Sequence, residues 1–324
     1  MPAPPVPWVE KYRPRRIGDV VRDDKEDAVG VLRGSARTGD LPNLLFHGPP
    51  GTGKTSTILV LARGLFGQLA AEWTERVLEV NASDEIVHDR IANFSKTLSR
   101  TMSKTMSKTI KLVILDEADT MTPAAQASLR RTMETHSAST RFCLVCNCAS
   151  GIIDSLASRC LPFRFRPLGP GPMKGRLLRI CETEGVIFEE DSRGALDQIV
   201  ASSAGDMRRA VNLLQTASQL PRACPASIAD AAGEVPAAAF DELWSTACSG
   251  SASVDGVAAA VLRFVGEGYA VGRVLGRFQE MAVSSSTMAD AAKAVVCGKV
   301  MEVSRCLNDG ADEEVQLLDL CLVL

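Results

Sequence analysis

The stretch Gly48-Pro49-Pro50-Gly51-Thr52-Gly53-Lys54-Thr55 decides the fold, because it matches the phosphate-binding loop pattern G-x-x-x-x-G-K-[ST]. Its glycines let the backbone curl, so that several N–H groups point at phosphate oxygens, and the following helix adds its positive N-terminal end. Lys54 would reach the β- and γ-phosphates, and the Thr55 hydroxyl would bind Mg²⁺. An apolar segment at 41–46 precedes the loop and a helical pattern at 53–66 follows it. The motif therefore predicts a nucleoside triphosphate site between a strand and a helix.

Apolar segments recur along the first half of the chain. The further candidate strands are 76–80, 112–115, 142–146 and 161–165, with helical patterns near 85–100 and 122–137 between them. Strands that are apolar throughout and alternate with helices are typical of a parallel sheet buried on both faces. The first half is therefore predicted to be a doubly wound α/β domain.

The pattern changes after Phe165. Leu168-Gly-Pro-Gly-Pro172 is predicted to be a hinge, and beyond it the sequence shows helical periodicity and no convincing strand. We expect three domains: the α/β domain at 1–166, a small helical domain at 167–225 and an all-α domain at 226–324.

Composition excludes several protein classes. Of the 324 residues, 46% are hydrophobic and 23% charged, which is ordinary for a globular protein and excludes disordered, collagen-like and disulfide-scaffold chains. The sequence offers no apolar run approaching the ~18 residues of a membrane span, and its N-terminus lacks the layout of a signal peptide. We therefore expect no membrane partner, and we expect the ten cysteines to be reduced thiols.

Charge is unevenly distributed. The chain carries a net charge of −3, but residues 1–225 sum to +5 and residues 226–324 to −8. Between 89 and 111, one acidic residue stands among six basic ones: Arg90, Lys96, Arg100, Lys104, Lys108 and Lys111. This stretch is either a surface facing phosphates or a solvated helix and loop.

Two carboxylates follow the strand predicted at 112–115. Asp116 at the strand end would hold the Mg²⁺ shell, and Glu117 would polarise a water for in-line attack on the γ-phosphate. Capping of a helix N-terminus is the alternative role. Placement about 60 residues after the phosphate-binding loop favours the catalytic interpretation.

Three further polar residues have two interpretations each from the sequence alone. Asn147 after the strand at 142–146 either caps the strand or orients the attacking water. Arg159 and Arg208 either contact phosphate or lie on the surface. Nearby Cys143, Cys146 and Cys148 are interpreted as small buried apolar residues and not as a metal site, because no second pair stands at a zinc spacing.

Together these motifs resemble the small subunits of replication factor C, the AAA+ subunits of the sliding-clamp loader. The resemblance spans nearly the whole chain and rests on Trp8–Pro14, Leu41–Thr57, Asn81–Asp84, Leu115–Asp119, Gln126–Glu134, Ser158–Cys160 and Gly205–Arg209. Two further segments, Thr140–Leu144 and Asp309–Asp319, are most similar to one of the animal small subunits.

The resemblance implies a role for each candidate residue. Val9 and Arg13 would lie along the adenine and ribose, the loop through Ser56 would hold the phosphates, and Asn147 and Arg208 would be the two sensors of this chain's own nucleotide. Arg159 would be an arginine finger that acts in trans on the neighbouring subunit's ATP.

The resemblance also implies cofactors, partners and a cellular location. They are ATP and Mg²⁺, the other replication factor C subunits of a ring-like pentamer, the sliding clamp (proliferating cell nuclear antigen), primer-template DNA and the nucleus. The domains would then be the AAA+ domain, a lid with sensor 2, and an oligomerisation collar.

The sequence departs from the family pattern after Asn81-Ala-Ser-Asp84, where about two to four residues are missing and one DNA phosphate contact is put in doubt. Two rival functions stay open at this point. One is an AAA+ motor of the branch-migration type, which would carry a winged-helix domain at its C-terminus. The other is a nucleotide-dependent assembly subunit with little turnover, which the presence of Glu117 argues against.

Overall fold

The computed structural model describes residues 6–21, 41–66, 70–84, 90–91, 93–94, 110–186, 194–220, 223–249, 253–286 and 288–324. The chain divides into two compact units. The first unit contains residues 1–187 and 203–218, and the second contains residues 188–202 and 219–324.

The first unit is built on a five-stranded parallel sheet. Its strands are β1 (Leu44–His47), β2 (Val77–Asn81), β3 (Lys111–Asp116), β4 (Thr140–Cys146) and β5 (Leu161–Arg164). They are ordered β2-β3-β4-β1-β5, and each neighbouring pair is parallel. All five predicted strands are therefore present, with ends that differ by at most three residues.

Helices accompany the sheet in the order expected of a doubly wound domain. They are α1 (Trp8–Lys11), α2 (Lys54–Phe66), α3 (Ala70–Arg76), α4 (Pro123–Thr135), α5 (Asp154–Ala157), α6 (Pro170–Glu184) and, after an excursion into the second unit, α8 (Met207–Ala217). Short 3₁₀ turns lie at Ile17–Asp19, Ala118–Thr120 and Ala149–Gly151.

The sheet is buried on both faces. Alternate residues of the central strands enter two different clusters: Leu112 and Ile114 pack with Ile58 of α2, whereas Val113 and Leu115 pack with Leu129 of α4. Burial of each such side chain contributes about 1.5–3 kcal/mol. Double-sided packing explains why these strands are apolar throughout and do not alternate.

The stretch predicted as a hinge begins a helix. Gly169 is the N-cap of α6 and Pro170 is its first residue. Proline is favourable there because its fixed φ suits a helix and its missing N–H would have had no partner. Three of the five residues at Leu168–Pro172 therefore belong to α6, and a hinge at this segment stays a prediction.

All regular secondary structure in the described residues of the second unit is helical. Its helices are α7 (Ala195–Ser203), whose last residue belongs to the first unit, α9 (Pro225–Ala231), α10 (Ala237–Cys248), α11 (Val254–Gly266), α12 (Val271–Ser284), α13 (Asp290–Asn308) and α14 (Glu313–Cys321). Phe240, Trp244 and Phe278 form the aromatic centre of its core. None of the helices in the described ranges is long and apolar enough to cross a membrane.

One member of the basic stretch is buried. Lys111 begins β3 with 2% of its surface exposed, its ammonium donates to the Phe94 carbonyl, and it lies 4.2 Å from the centroid of the Phe94 ring. Lys111 was therefore wrongly included among candidates for a phosphate-facing surface. Arg90 is exposed, with its guanidinium 3.8 Å from the Asp84 carboxylate. The other four basic residues, Lys96, Arg100, Lys104 and Lys108, lie outside the described residues.

The three neighbouring cysteines differ in burial. Cys143 and Cys146 are buried in opposite faces of the sheet, as their spacing along a strand predicts. Cys148 lies beyond β4 and is exposed, so its interpretation as a buried apolar residue was wrong. Within the described ranges no group of three or more His, Cys, Asp and Glu residues could hold a metal ion.

Candidate nucleotide-binding site

The loop between β1 and α2 has a backbone that only glycine adopts without strain. Gly48, Gly51 and Gly53 have φ angles of 145°, 68° and 92°. A Cβ atom at Gly48 would lie 2.1 Å from the carbonyl oxygen of Phe165, which directly follows β5. The close approach of Phe165 therefore leaves no room for a side chain where the loop begins.

The ammonium of Lys54 is held at the centre of this loop. It donates to the carbonyl oxygens of Gly48 at 2.7 Å and Pro49 at 2.8 Å, and to Oδ1 of Asn147 at 3.0 Å. Lys54 is 7% exposed, and burial lowers its pKa. Two predicted site residues 93 positions apart are therefore in direct contact.

Oxygen ligands for a cation meet next to the loop. The Thr55 hydroxyl donates to Oδ2 of Asp116, at the end of β3, at 2.9 Å. A hydroxyl and a carboxylate are the hard oxygen ligands that Mg²⁺ takes alongside phosphates and water. The pair predicted to bind the metal therefore fits the ion.

Glu117 has an unusual backbone conformation. Its φ is 55°, in the left-handed region that is uncommon for a residue other than glycine. Its Oε2 accepts a hydrogen bond from Nδ2 of Asn81, at the end of β2, at 3.0 Å. Asn81 belongs to a motif that the sequence singled out, but its contact with Glu117 could not be read from that motif.

Asp119 fastens the segment that carries Asn147. Its Oδ2 accepts from the backbone N–H groups of Asn147 at 3.1 Å and Cys148 at 3.0 Å. Gln126 of α4, 1% exposed, fastens the next turn, because it donates to the Gly151 carbonyl and accepts from the Ile153 N–H, both at 2.8 Å. Gln126 lies in the first turn of α4, and its burial is satisfied by these hydrogen bonds.

The N-terminus of α8 lies against the loop. The Met207 N–H donates to the Gly51 carbonyl at 3.1 Å, and a Cβ atom at Gly51 would lie 1.7 Å from Oδ1 of Asp206. The same Oδ1 accepts from the Arg209 N–H at 3.0 Å and caps α8. This packing places Arg208 on the wall of the site.

Most of the predicted residues line one cavity of about 210 Å³. It is lined by Val9, Arg13, Pro50, Gly51, Thr52, Gly53, Lys54, Thr55, Ser56, Asp116, Glu117, Asn147 and Arg208. Gly48 and Pro49 do not line it, but they hold Lys54 through their carbonyls. Sequence reasoning assigned no role to several other lining residues: Tyr12, Arg176, Ile180, Met207 and Val211.

Arg159 does not line this cavity. Its half-exposed guanidinium donates to Oε1 of Glu134, which also accepts from Nε of Arg130 at 3.1 Å. The hydrogen bond from Arg159, with a second from Arg130, lowers the pKa of Glu134. The predicted finger is thus paired at the surface of its own chain.

Comparison with known proteins decides the family. Residues 44–168 match the model of the "ATPase family associated with various cellular activities (AAA)", residues 175–219 that of the "RCF1/5-like, AAA+ ATPase lid domain", and residues 236–323 that of the "Replication factor C C-terminal domain". Human replication factor C subunit 4 is 44% identical over 98% of this chain and 88% of its own length. The chain belongs to the replication factor C family.

Other replication factor C proteins are similar over comparable lengths. Subunit 2 of Saccharomyces cerevisiae is 38% identical over 97% of this chain and 91% of its own length, and small subunit 1 of Pyrobaculum arsenaticum is 41% identical over 96% and 92%. The predicted similarity to one of the animal small subunits is confirmed by the match to human subunit 4.

Among solved structures, the Thermotoga maritima RuvB Holliday junction branch migration motor matches with a TM-score of 0.53 at 16% identity, covering 77% of this chain and 85% of that one. This likeness shows the AAA+ fold alone. Because residues 236–323 match the C-terminal domain of replication factor C, a branch-migration motor is not favoured. The chain is an ATP-hydrolysing subunit of a clamp loader of the replication factor C type.

Proposed function

We propose that this chain binds ATP with Mg²⁺ in the cavity, and that it acts in a ring-like heteropentamer of replication factor C subunits in the nucleus. The complex uses ATP binding and hydrolysis to place the sliding clamp, proliferating cell nuclear antigen, on primer-template DNA. The observation that carries the proposal is that one cavity brings together Lys54, Asp116, Glu117, Asn147 and Arg208, which lie far apart in the sequence.

The chemistry of the cavity supports a division of labour. Lys54 neutralises the β- and γ-phosphates, while the pair of Thr55 and Asp116 holds Mg²⁺. Mg²⁺ supplies neutralisation of the charge that develops on the phosphate oxygens. Glu117 accepts a proton from the attacking water, and Asn147, in contact with Lys54, orients that water near the γ-phosphate.

Two arginines and the N-terminal segment complete the assignment. Arg208 contacts the phosphates of this chain's own nucleotide, and Val9 and Arg13 lie along its adenine and ribose. Arg159 acts in trans on the neighbouring subunit's ATP. Its place outside the cavity, on a partly exposed surface, supports that role.

The proposed domains are the AAA+ domain at 1–166, the lid at 167–225 and the collar at 226–324. Matches to three family models at 44–168, 175–219 and 236–323 support these divisions. Contact with DNA is proposed for the basic stretch without Lys111, because a buried ammonium paired with a carbonyl is not available to phosphates.

Substitution of Glu117 by Gln in the reconstituted complex tests the proposal. The amide keeps the size of the side chain but cannot take a proton, so ATP binding and assembly should persist while turnover at this site is lost. The measurement is single-turnover hydrolysis of radiolabelled ATP together with clamp loading on circular primed DNA. Unchanged hydrolysis at this site would contradict the role of Glu117, whereas a wild-type site that binds ATP without hydrolysing it would favour an assembly subunit with little turnover.

A further inference from the structure

The N-terminal segment is fastened to two helices that lie more than 160 residues away. Oε1 of Glu184, the last residue of α6, accepts from Lys11 Nζ at 2.6 Å and from the Tyr12 hydroxyl at 2.5 Å. Arg176 of α6 donates to the Tyr12 carbonyl at 3.0 Å. Gln215 of α8 accepts from the Trp8 N–H at 3.0 Å. We call the group of Lys11, Tyr12 and Glu184 the clasp.

Glu184 is the centre of the clasp. Its side chain is 17% exposed, whereas that of Lys11 is 49% exposed. The hydrogen bond from Lys11, with a second from Tyr12, lowers the pKa of the Glu184 carboxyl. The carboxylate therefore accepts two hydrogen bonds in its charged form, and bonds to a charged acceptor are stronger than those between neutral groups.

One member of the clasp, Tyr12, lines the nucleotide cavity. Lys54 and Thr55 fix the phosphate end at the glycine loop, so a nucleoside must occupy the remainder of the same cavity. The apolar and aromatic residues that line the cavity include Val9 and Tyr12 of the N-terminal segment, Ile180 of α6 and Val211 of α8. Apolar side chains of this kind suit a base and a sugar better than phosphates.

We propose that Glu184 is a positioning residue for nucleotide binding. It holds Tyr12 against α6 and so sets the shape of the cavity wall that receives the nucleoside, without touching the nucleotide itself. This inference rests on the proposed function, because it requires ATP in the cavity. It separates the cavity into a phosphate end governed by the glycine loop and a nucleoside end governed by the clasp.

The test compares ligands with and without a nucleoside. The variants are Glu184→Ala and Tyr12→Phe, and the control is Glu182→Ala, the same change at an exposed position on the same helix. Equilibrium affinity is measured for ATP and ADP on the full chain, and inorganic triphosphate is measured as a competitor. Unfolding transitions are recorded for each variant.

Both clasp variants should bind ATP and ADP about three- to ten-fold more weakly. This is less than the roughly ten- to hundred-fold that a hydrogen bond to a charged group can contribute, because Glu184 acts on the nucleotide only through Tyr12. Competition by inorganic triphosphate should be unchanged, and Glu182→Ala should match the wild type. Joint substitution of Tyr12 and Glu184 should lose no more than Glu184→Ala alone, since both act through one contact.

Wild-type affinity for ATP in both clasp variants would overturn the inference, as would an equal loss for inorganic triphosphate, which would indicate a general disturbance of the fold. A wild-type chain that binds neither ATP nor triphosphate would instead overturn the proposed function. The two failures are therefore distinguishable.

Discussion

Substitution of Gly51 by Ala offers the sharpest test of how the loop and α8 depend on each other. Two costs follow from the structure. The φ of 68° is left-handed, which costs a residue with a Cβ about 1–2 kcal/mol. The new Cβ would also lie 1.7 Å from Oδ1 of Asp206, so the carboxylate must rotate away and give up its cap on the Arg209 N–H. Loss of such a cap costs about 0.5–2 kcal/mol.

We therefore expect Gly51→Ala to lower the free energy of unfolding by about 3 kcal/mol. Gly64→Ala is the matched control. It lies within α2 and is exposed, and its Cβ would meet no atom within 4 Å, so the change should stabilise the chain by about 0.5–1 kcal/mol. The assay is chemical denaturation followed by tryptophan fluorescence.

Measurement of Gly51→Ala in a second variant separates the cost of the backbone strain from the cost of the lost cap. In Asp206→Gly the clashing carboxylate is absent, and glycine is itself an acceptable N-cap. Gly51→Ala should then cost only the backbone strain of about 1–2 kcal/mol. An equal cost of Gly51→Ala in both backgrounds would refute the coupling between the loop and the cap of α8.

Three further predictions concern the site and its surface. Lys54→Ala should abolish ATP binding, because the buried ammonium is the charge that meets the phosphates; wild-type affinity for labelled ATP would refute this. Arg159→Ala should leave this chain's own ATP affinity intact and slow hydrolysis at the neighbouring site by orders of magnitude in a site-resolved assay. A defect confined to the chain's own site would overturn the trans assignment. Cys148 should be alkylated by iodoacetamide faster than Cys248 near pH 8, because hydrogen bonding to Ser150 lowers the pKa of Cys148 whereas burial raises that of Cys248, and thiolate is the reactive form; equal rates by mass spectrometry would contradict this.

The sheet could be predicted because its signals are local. Runs of apolar residues identify β3 and β4, and the glycine-rich pattern identifies the turn before α2. These features depend on neighbours in the chain, and the structure differs from them only at the ends of elements.

Contacts between distant segments could not be predicted from the residues alone. Nothing near Asn147 in the sequence indicates that its amide meets Lys54, and nothing near Glu184 indicates Tyr12. Lys111 was predicted to face phosphates because it lies in a basic stretch. A count of charges cannot show that its ammonium contacts the ring and the carbonyl of Phe94 instead.

The pairing of Arg159 with Glu134 has a consequence for how protomers join. A protomer without neighbours already neutralises its outward-facing guanidinium, so it does not present a bare cation to any passing anion. Under the proposed assignment, Arg159 leaves the carboxylate of Glu134 and contacts the triphosphate of the adjoining protomer when the two protomers dock. The attraction to the triphosphate is then partly offset by loss of the attraction to Glu134. This exchange of partners favours a ring that closes when ATP is bound and opens after the γ-phosphate has been lost by hydrolysis.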